Sequence, residues 1–348
     1  MISKRNRQIL LCFLRDRNKK KWFQIIKEFM SLYLIEKKIP ANYILCLLYR
    51  KNISNYKDYL SLNDSNRLLS WSYRQGDKHI VLTENKLLFE ELLIKNNIPI
   101  PKIIFHNSKS KFTYQGNIIQ IENRKDFFSF LEKVFNETNL DRLFCKPING
   151  FKGQNIFILD KKTFRFSTDT LLNLILSKEF IFQEVILQHE SLDEINSSSI
   201  NTLRVVTYKN QKNRIEILCG FIRLGRNGAI VDNAHAGGIF VSFNKETGKI
   251  CHEGLQLLDN GGGVFYKHPD TGFVFDNFLI PYFNQVKEVV LKASSLFELP
   301  LLGWDVAITP SGPVIVEVNH DFYLLFSDRM EHGLKNNPAF SKLLQEIE

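Results

Sequence analysis

The chain has 348 residues, of which 44% are hydrophobic and 24% are charged, a composition typical of a globular protein with two or three domains. Its longest apolar runs, 9–14 and 43–49, are far shorter than the roughly 20 residues of a membrane span, so no transmembrane helix is predicted. The start resembles no export signal, and the five cysteines form no close pair or metal-binding spacing. We therefore expect a cytoplasmic protein.

Positive charge is concentrated at the start of the chain. Residues 1–80 contain 17 Lys and Arg against 6 Asp and Glu, a net charge of +11, whereas the whole chain carries +9. Such a segment favours phosphates, anionic lipid headgroups or nucleic acid, although a solvated helical face has the same composition. No zinc-finger spacing or aromatic RNA-binding signature accompanies it, so nucleic acid is not expected. We predict that residues 1–75 associate with an anionic membrane surface or a lipid-linked glycan, at the inner face of the membrane.

The first 75 residues are predicted to be helical. Apolar residues recur at three-to-four spacing in 7–13 and 22–35, and Pro40 interrupts the pattern. Thr83 is predicted to cap a helix that runs to about Lys95 and ends before the prolines of 97–101.

Short strands and helices are predicted for the rest of the chain. The predicted strands are 102–105, 117–121, 143–147, 155–159, 180–186, 202–208, 216–224 and 238–243, and the predicted helices lie near 125–135, 171–176 and 280–296. Interposed helices followed by late antiparallel hairpins favour an α+β fold over a doubly wound parallel sheet.

The segment 303–319 reads as two apolar strands joined by a Pro-Ser-Gly-Pro turn. Glu317 and Asn319 are two residues apart and share a face, and a hairpin brings Asp305 opposite them. Three oxygen-bearing side chains suit a hard divalent cation, and Mg²⁺ commonly shares such a site with phosphates. Carboxylates on strands are more often merely solvated, so the metal site is a hypothesis that depends on the other motifs.

A glycine-rich loop follows the predicted strand that ends near Lys146. The loop contains Gly150, Lys152 and Gly153, whose backbone N–H groups suit phosphate oxygens, while Lys146 supplies a fixed positive charge. It is not a Walker loop, because no Gly-Lys-Ser/Thr opens a helix, and a simple hairpin turn is the alternative interpretation.

Taken in chain order, these segments resemble the ATP-grasp superfamily, and most closely its sugar-transfer-associated branch. The likeness extends from about residue 80 to about 325 and is carried by 84–86, 97–101, 146–153, 182–186, 199–207, 223–225, 231–238, 268–272 and 303–305. The resemblance implies a two-lobed ATP-grasp fold, with lobes at 76–185 and 186–348, preceded by the helical basic segment 1–75.

The resemblance also implies roles for individual residues. Those implied to bind ATP are Lys86, Lys146, Gly150, Lys152 and Gly153 at the phosphates, and Gln183, Glu184, Val185 and Ile186 at the adenine. Asp305, Glu317 and Asn319 are implied to hold Mg²⁺. Arg204, Arg223 and Asn233 are implied to act at the transferred phosphate; a surface ion pair is the alternative for the arginines, and local hydrogen bonding is the alternative for Asn233.

The implied function is an ATP-dependent ligase that activates a carboxylate as an acyl phosphate and joins it to an amine or a thiol. The branch implies a sugar- or amino-acid-type substrate, such as a surface-polysaccharide precursor. Alternatives are a kinase of a sugar-related acceptor and a non-catalytic nucleotide-binding scaffold in glycan assembly. Many ATP-grasp enzymes follow the metal-binding Asn with a small residue and a Pro-Gly turn, whereas 320–326 here are His-Asp-Phe-Tyr-Leu-Leu-Phe. This departure leaves the acceptor open.

Overall fold

A computed structural model describes residues 3–150, 155–166, 168–229, 231–233 and 237–347, with only the backbone at 77, 78 and 346. The chain divides into two compact units. The large unit comprises residues 1–80 and 188–348, and the small unit comprises 81–187.

Twelve α-helices occur in the described residues, and they include the helices predicted at 7–13, 22–35, 125–135, 171–176 and 280–296. They are α1 Lys4–Arg15, α2 Trp22–Glu36, α3 Ala41–Leu45, α4 Leu62–Gln75, α5 Asp77–Glu84, α6 Lys86–Lys95, α7 Arg124–Thr138, α8 Asp169–Ser177, α9 Glu190–Asp193, α10 Phe283–Ser294, α11 Leu324–Met330 and α12 Pro338–Ile347.

The described strands form two sheets, one in each unit. The small unit contains β1 Ile103–Ser108, β2 Lys111–Tyr114, β3 Asn117–Gln120, β4 Arg142–Pro147, β5 Phe157–Asp160 and β6 Glu179–Glu184. The large unit contains β7 Leu203–Lys209, β8 Ile215–Leu224, β9 Ile239–Phe243, β10 Ile250–Gln256, β11 Val264–Phe265, β12 Leu301–Thr309 and β13 Gly312–Asn319.

Both sheets are antiparallel between every pair of neighbouring strands that the structure describes. The strand orders are β3-β2-β1-β6-β4-β5 and β11-β10-β9-β8-β7-β12-β13. Antiparallel sheets with helices set beside them are the α+β arrangement that the order of sequence elements predicted, and that prediction is confirmed.

Phenylalanine fills the core of the small unit. Helix α7 buries Phe127, Phe130 and Phe135 at three- to eight-residue spacing, so one face of the helix lies against the sheet. On that sheet Phe105 of β1 stacks on Phe182 of β6 with ring centroids 4.1 Å apart. Each fully buried aromatic side chain contributes about 1.5–3 kcal/mol, so this packing fixes the positions of β1 and β6.

The N-terminal helices share the core of the large unit. Side chains of α1–α4 pack in one hydrophobic cluster with side chains of β7, β8, α11 and α12; the members include Phe13, Ile25, Leu32, Tyr43, Leu68, Val206, Tyr208, Leu218, Leu324, Leu325, Phe340 and Leu343. Ser72 of α4 accepts a hydrogen bond from the backbone N–H of Leu301 at 3.0 Å, and Asp328 accepts one from Leu60 at 2.9 Å. Removing residues 1–75 would therefore open this core to water.

Several elements, such as β10, β11 and α12, were not predicted from the sequence, and three features of the small unit differ from the predictions made for it. Thr83 lies inside α5, and Asn85 caps α6 by accepting a hydrogen bond from Leu88 N–H at 3.0 Å, since its short amide reaches the first turn. Strand β5 begins at Phe157 because Asn155 has φ +57°, a left-handed backbone that a strand does not adopt. Strand β2 was missed because its four residues are too short for a clear alternation.

Candidate functional site

Charged side chains from four adjacent strands of the large unit share one face of the sheet. In the register of β7, β12 and β13, Arg204 lies opposite Asp305, which lies opposite Glu317. Asn319 lies two residues beyond Glu317 on the same face. We name the arginine–carboxylate cluster by its members, which are Thr202, Arg204, Arg223, Asp232, Asp305, Glu317 and Asn319.

Arg204 and Asp305 form a two-pronged ion pair across β7 and β12. Arg204 Nε donates to Asp305 Oδ1 at 2.6 Å, and its Nη2 donates to Oδ2 at 3.2 Å. Gly303 makes room for this pair, because a Cβ at that position would come within 3.1 Å of Arg204 Nη1 and 3.2 Å of the Phe322 ring. The planar fork of arginine matches the carboxylate, which fixes both side chains.

Arg223 connects Asp305 to a second carboxylate. Its Nη2 lies 3.0 Å from Asp305 Oδ2, and its Nε lies 3.4 Å from Asp232 Oδ2. Thr202 Oγ1 accepts from Arg223 Nε at 2.9 Å and donates to Asp232 Oδ2 at 2.5 Å. Burial alone would lower the pKa of Arg223, but Asp232, Asp305 and Glu317 outweigh it and raise that pKa well above its usual range. The guanidinium therefore stays charged.

The donor set of this cluster fits a magnesium ion. Three carboxylates face two guanidiniums, which leaves a formal net charge of −1. Within the described ranges, no group of three His, Cys, Asp or Glu side chains could hold a metal ion. A metal ion at Asp305 and Glu317 would therefore need the amide oxygen of Asn319 as its third protein ligand. The buried Nδ2 atom of Asn319 has no hydrogen-bond partner among the described residues. Rotating the side-chain amide by 180° exchanges this nitrogen with the amide oxygen, which can bind a metal ion. Mg²⁺ takes one or two carboxylates and completes its shell with phosphates and water.

Asn233 directly follows Asp232, a member of the cluster, in the sequence. Its backbone carbonyl accepts a hydrogen bond from Gly238 N–H at 3.2 Å. Thr202 and Asp232 were not among the residues predicted from the sequence. Both lie inside the motifs 199–207 and 231–238 that suggested the family, beside Asn201 and Asn233, and that adjacency was the available signal.

Two other residues of the motifs that carry the family resemblance form hydrogen bonds to backbone carbonyls. The side-chain amide of buried Asn201 donates to the carbonyls of Leu192 and Asn196, at 3.0 and 2.7 Å. Buried His268 is hydrogen-bonded through Nε2 to the Gly225 carbonyl at 2.8 Å. Both side chains position loops around the cluster.

The small unit brings several of the predicted ATP-binding residues to the start of α6. Lys86 Nζ donates to the carbonyl of Gly150 at 2.7 Å, and Lys86 N–H donates to the Ile148 carbonyl at 3.0 Å. Gly150 has φ +131°, which side-chain-bearing residues rarely adopt, so a glycine is required where the loop leaves β4. Lys152 and Gly153 lie outside the described residues.

A buried ion pair joins α6 to β4. Lys146 Nζ is 2.6 Å from Glu90 Oε1, and both side chains are at most 5% exposed. Gln183 Nε2 donates to Glu90 Oε2 at 2.9 Å and to the Pro101 carbonyl at 3.0 Å. Burial raises the pKa of Glu90, against the opposing effect of Lys146. We name the lysine cluster by its members, which are Lys86, Glu90, Lys146, Gly150 and Gln183; Glu90 was not predicted from the sequence.

The predicted adenine-binding residues follow at the end of β6. Glu184 Oε1 accepts from Lys102 N–H at 3.1 Å, and its own N–H donates to the Lys102 carbonyl at 3.0 Å. Val185 and Ile186 come next and are half-buried. Adenine binding by these three residues and by Gln183 stays a prediction.

Comparison with known proteins places a single family over most of the chain. The sugar-transfer associated ATP-grasp family matches residues 69–340. No curated protein matches the sequence.

Several solved structures are similar to this chain. They are the ATP-grasp ligase PsnB in complex with a minimal precursor, Mg and ADP (13% identity, 90% of this chain, 74% of PsnB, TM-score 0.41), D-alanyl-alanine synthetase A from Vibrio cholerae (11%, 76%, 63%, 0.44), and the ADP complex of purK, N5-carboxyaminoimidazole ribonucleotide synthetase (13%, 79%, 59%, 0.44). At these identities and TM-scores, the similarities carry no information on the substrate of this chain.

Proposed function

The chain belongs to the sugar-transfer associated ATP-grasp family, and we propose that it is an ATP-dependent ligase that joins a carboxylate to an amine. Membership confirms the ATP-grasp fold and the enzymatic character that the sequence motifs predicted. The reactants, the residue roles and the magnesium ion belong to the proposal.

The proposed reaction has two steps. A carboxylate oxygen of the substrate attacks the γ-phosphorus of ATP; the new P–O bond gives an acyl phosphate, and the bond to ADP breaks. The amine nitrogen then attacks the acyl carbon, the C–O bond to phosphate breaks, and the nitrogen releases a proton to solvent. No protein nucleophile is required, because positioning and charge neutralisation lower both barriers.

The observation that carries this proposal is the arginine–carboxylate cluster. Arg204 and Arg223 present planar donor forks, and such forks bind phosphate and carboxylate oxygens. In the structure both hold Asp305, so they are oriented and charged before a substrate arrives. When bound to Asp305, Glu317 and Asn319, Mg²⁺ would neutralise negative charge on the phosphates.

The lysine cluster supports the binding of the nucleotide phosphates. Two lysines accompany one buried glutamate, a formal net charge of +1. Lys86 is held at the carbonyl of Gly150, at the start of the loop that is proposed to cover the phosphates. The net positive charge of this cluster suits the phosphates of a nucleotide.

For the acceptor we propose a sugar-type or amino-acid-type compound, such as a surface-polysaccharide precursor. The family name supports this class. The segment 320–326, which replaces the small-residue and Pro-Gly turn, borders the arginine–carboxylate cluster, since the Phe322 ring lies beside Gly303. The His320 ring lies 5.7 Å from that of Tyr73 on α4. Phe322 itself is buried, so it is the exposed ring of Tyr73 that favours a substrate with a flat or partly apolar face.

The test is release of ADP and phosphate by the purified chain with Mg-ATP, with carboxylates and amines supplied singly and together. Release that requires both supports the ligase. Turnover with an alcohol acceptor and no carboxylate would make the protein a kinase and overturn the proposal. Absence of turnover, together with a biological effect that survives Asp305→Ala and Glu317→Ala, would identify a scaffold instead.

We also propose that residues 1–75 meet an anionic membrane surface or a lipid-linked glycan, at the cytoplasmic face of the membrane. The support is the net charge of +11 over residues 1–80. Among the helices that the structure describes, none is long and apolar enough to cross a bilayer. Because α1–α4 share the core of the large unit, charge reversal at exposed Lys21 and Lys37 is a better test than deletion. Sedimentation with vesicles that is unchanged by Lys21→Glu and Lys37→Glu would contradict the proposed electrostatic contact.

A further inference from the structure

Helix α2 is apolar on two opposite faces, only one of which is buried. Ile25, Phe29 and Leu32 pack in the core of the large unit. The opposite face contains Phe23, Ile26, Met30 and Leu34, at spacings of three and four residues, so these four side chains line up along the helix. We name them the outer stripe of α2.

The outer stripe is open to solvent over its full length. The exposed fractions are 69% for Phe23, 59% for Ile26, 47% for Met30 and 69% for Leu34. Ile35 and Ile39 at the end of the helix are 60% and 74% exposed. Single exposed apolar residues are common on protein surfaces, whereas a contiguous stripe of large ones marks a surface that another apolar medium covers.

The exposed charges around the stripe are positive. Lys27 lies between Phe23 and Met30 on the outer side of the helix, and exposed Arg17, Lys21, Lys37 and Lys38 flank its ends.

The three carboxylates of residues 15–39 do not offset this charge at the surface. Asp16 pairs with Arg50 at 2.8 Å, and Glu28 pairs with buried Lys20 at 2.5 Å. Glu36 is half-buried, and burial raises its pKa. An apolar stripe edged by cations is complementary to a surface that is apolar inside and anionic at its boundary.

The length of α2 determines how it can meet such a surface. Its 15 residues extend about 22 Å along the axis, less than the roughly 30 Å hydrocarbon core of a bilayer. Its inner face is already packed in the large unit. The helix can therefore lie in the plane of the headgroups, with the stripe directed into the lipid, as amphipathic interfacial helices do.

A second copy of the chain is less complementary to the outer stripe than an anionic membrane is. A two-fold contact between two stripes would bring Lys27 of each copy against the other copy's stripe and set the lysines at the helix ends close together. Like charges at such a contact oppose association, whereas anionic headgroups compensate them.

We propose that α2 is an in-plane membrane anchor, whose outer stripe inserts at the headgroup boundary of an anionic membrane while its flanking lysines bind the headgroups. This deepens the proposed membrane location by assigning the contact to one helix face, and it does not depend on the ligase reaction.

The experiment compares the full-length protein with two triple variants in vesicle co-sedimentation. The stripe variant carries Phe23→Gln, Ile26→Gln and Leu34→Gln. The matched control carries Ile118→Gln, Phe166→Gln and Leu279→Gln, which change apolar residues that are at least 60% exposed elsewhere on the chain. With vesicles of phosphatidylglycerol and phosphatidylcholine, we expect at least tenfold weaker binding for the stripe variant and unchanged binding for the control.

Folding and catalysis are measured on the same samples. Because all six positions are exposed, the melting temperature and the ATP turnover with water-soluble substrates are expected to stay at the parent level. Parent binding should fall with added salt and be weaker on vesicles of phosphatidylcholine alone.

Three results would overturn the inference. The first is equal binding of parent and stripe variant to vesicles, which would mean that charge alone holds the protein and that only the broader anionic contact survives. The second is a parent that binds no vesicle at all. The third is a parent dimer, seen by sedimentation equilibrium, that the stripe variant abolishes, which would assign the stripe to self-association. If the parent has no ligase activity, the proposed reaction is wrong, but the vesicle-binding result still decides whether α2 anchors the protein.

Discussion

The arginine–carboxylate cluster of the large unit and the lysine cluster of the small unit are both built on antiparallel strands, but their charges are arranged differently. In the first, Asp305 is held by two arginines, and Arg223 is held in turn by two carboxylates and a threonine. In the second, Lys146 and Glu90 form a single buried pair that a glutamine supports.

Because of this difference, replacing a residue should affect stability and turnover differently in the two clusters. A shared network keeps its remaining partners when one member is replaced, so changes there should act mainly on turnover. A single buried pair leaves an uncompensated charge when one member is lost, so changes there should act on stability as well. The four predictions that follow test this contrast.

The largest effect is expected at Asp305. We expect Asp305→Asn to lower ATP turnover by about 1,000-fold, or about 4 kcal/mol of transition-state stabilisation, because the amide cannot neutralise a cation or hold two arginines. Turnover is measured as ADP release. The control is Asp276→Asn, an exposed carboxylate between β11 and α10, which should leave the rate unchanged. Turnover of Asp305→Asn within twofold of the parent would remove Asp305 from the site.

A smaller loss is expected when the fork of Arg204 is removed and its charge is kept. Arg204→Lys should lower kcat by about 100-fold, or about 2.7 kcal/mol, with little change in melting temperature, because Arg223 still compensates Asp305. Arg214→Lys is the matched control just before β8, where the arginine is 77% exposed and pairs with Glu216. A large drop in the melting temperature of Arg204→Lys would contradict the contrast between the clusters.

The lysine cluster should respond in both stability and ATP affinity. Lys146→Met is expected to lower the melting temperature and to weaken ATP binding by about tenfold, or about 1.4 kcal/mol, because it strands Glu90 and removes a cation from the phosphates. The double variant with Glu90→Gln should regain stability without regaining affinity, as measured by calorimetric titration.

The control for that series is Lys133→Met, an exposed lysine that pairs with Glu137 on α7 and should change neither property. If the double variant binds ATP as tightly as the parent, Lys146 serves only the fold of the small unit.

The smallest effect is expected in the pH dependence of stability. Burial raises the pKa of Glu90 above its ordinary 4.5, so the folded protein keeps a proton that the unfolded chain has released. The stabilisation from this group is therefore complete below about pH 4.5 and is lost as the pH rises through the folded pKa. Glu90→Gln should make the free energy of unfolding less dependent on pH in that window, as measured by urea titration. A steeper fall with pH in the variant would refute this.

Much of the site followed from local sequence patterns. The alternation of side chains along a strand was enough to predict that Glu317 and Asn319 share a face and that a hairpin brings Asp305 opposite them, and the structure has this register. The order of the motifs gave the family, which the match over residues 69–340 confirms. The roles assigned to these residues in binding ATP and magnesium stay predictions.

The ion pairs that position the side chains of the site could not be predicted from local sequence patterns. Arg204 and Asp305 are 101 positions apart, and only the assembly of β7 beside β12 makes them partners. Glu90 carries no sequence signal, since it lies within an ordinary helical pattern, and its pairing depends on Lys146 of strand β4. Thr202 and Asp232 likewise gain their function from Arg223.

The α+β class and the hairpin with its carboxylates could be predicted from the chain alone, because periodicity and spacing are local properties, and the family followed from the resemblance of its motifs. Which charges compensate one another, and which face of α2 stays uncovered, could be seen only in the folded protein. Those outcomes depend on how distant segments pack, since the same apolar spacing in α2 serves both its buried face and its outer stripe.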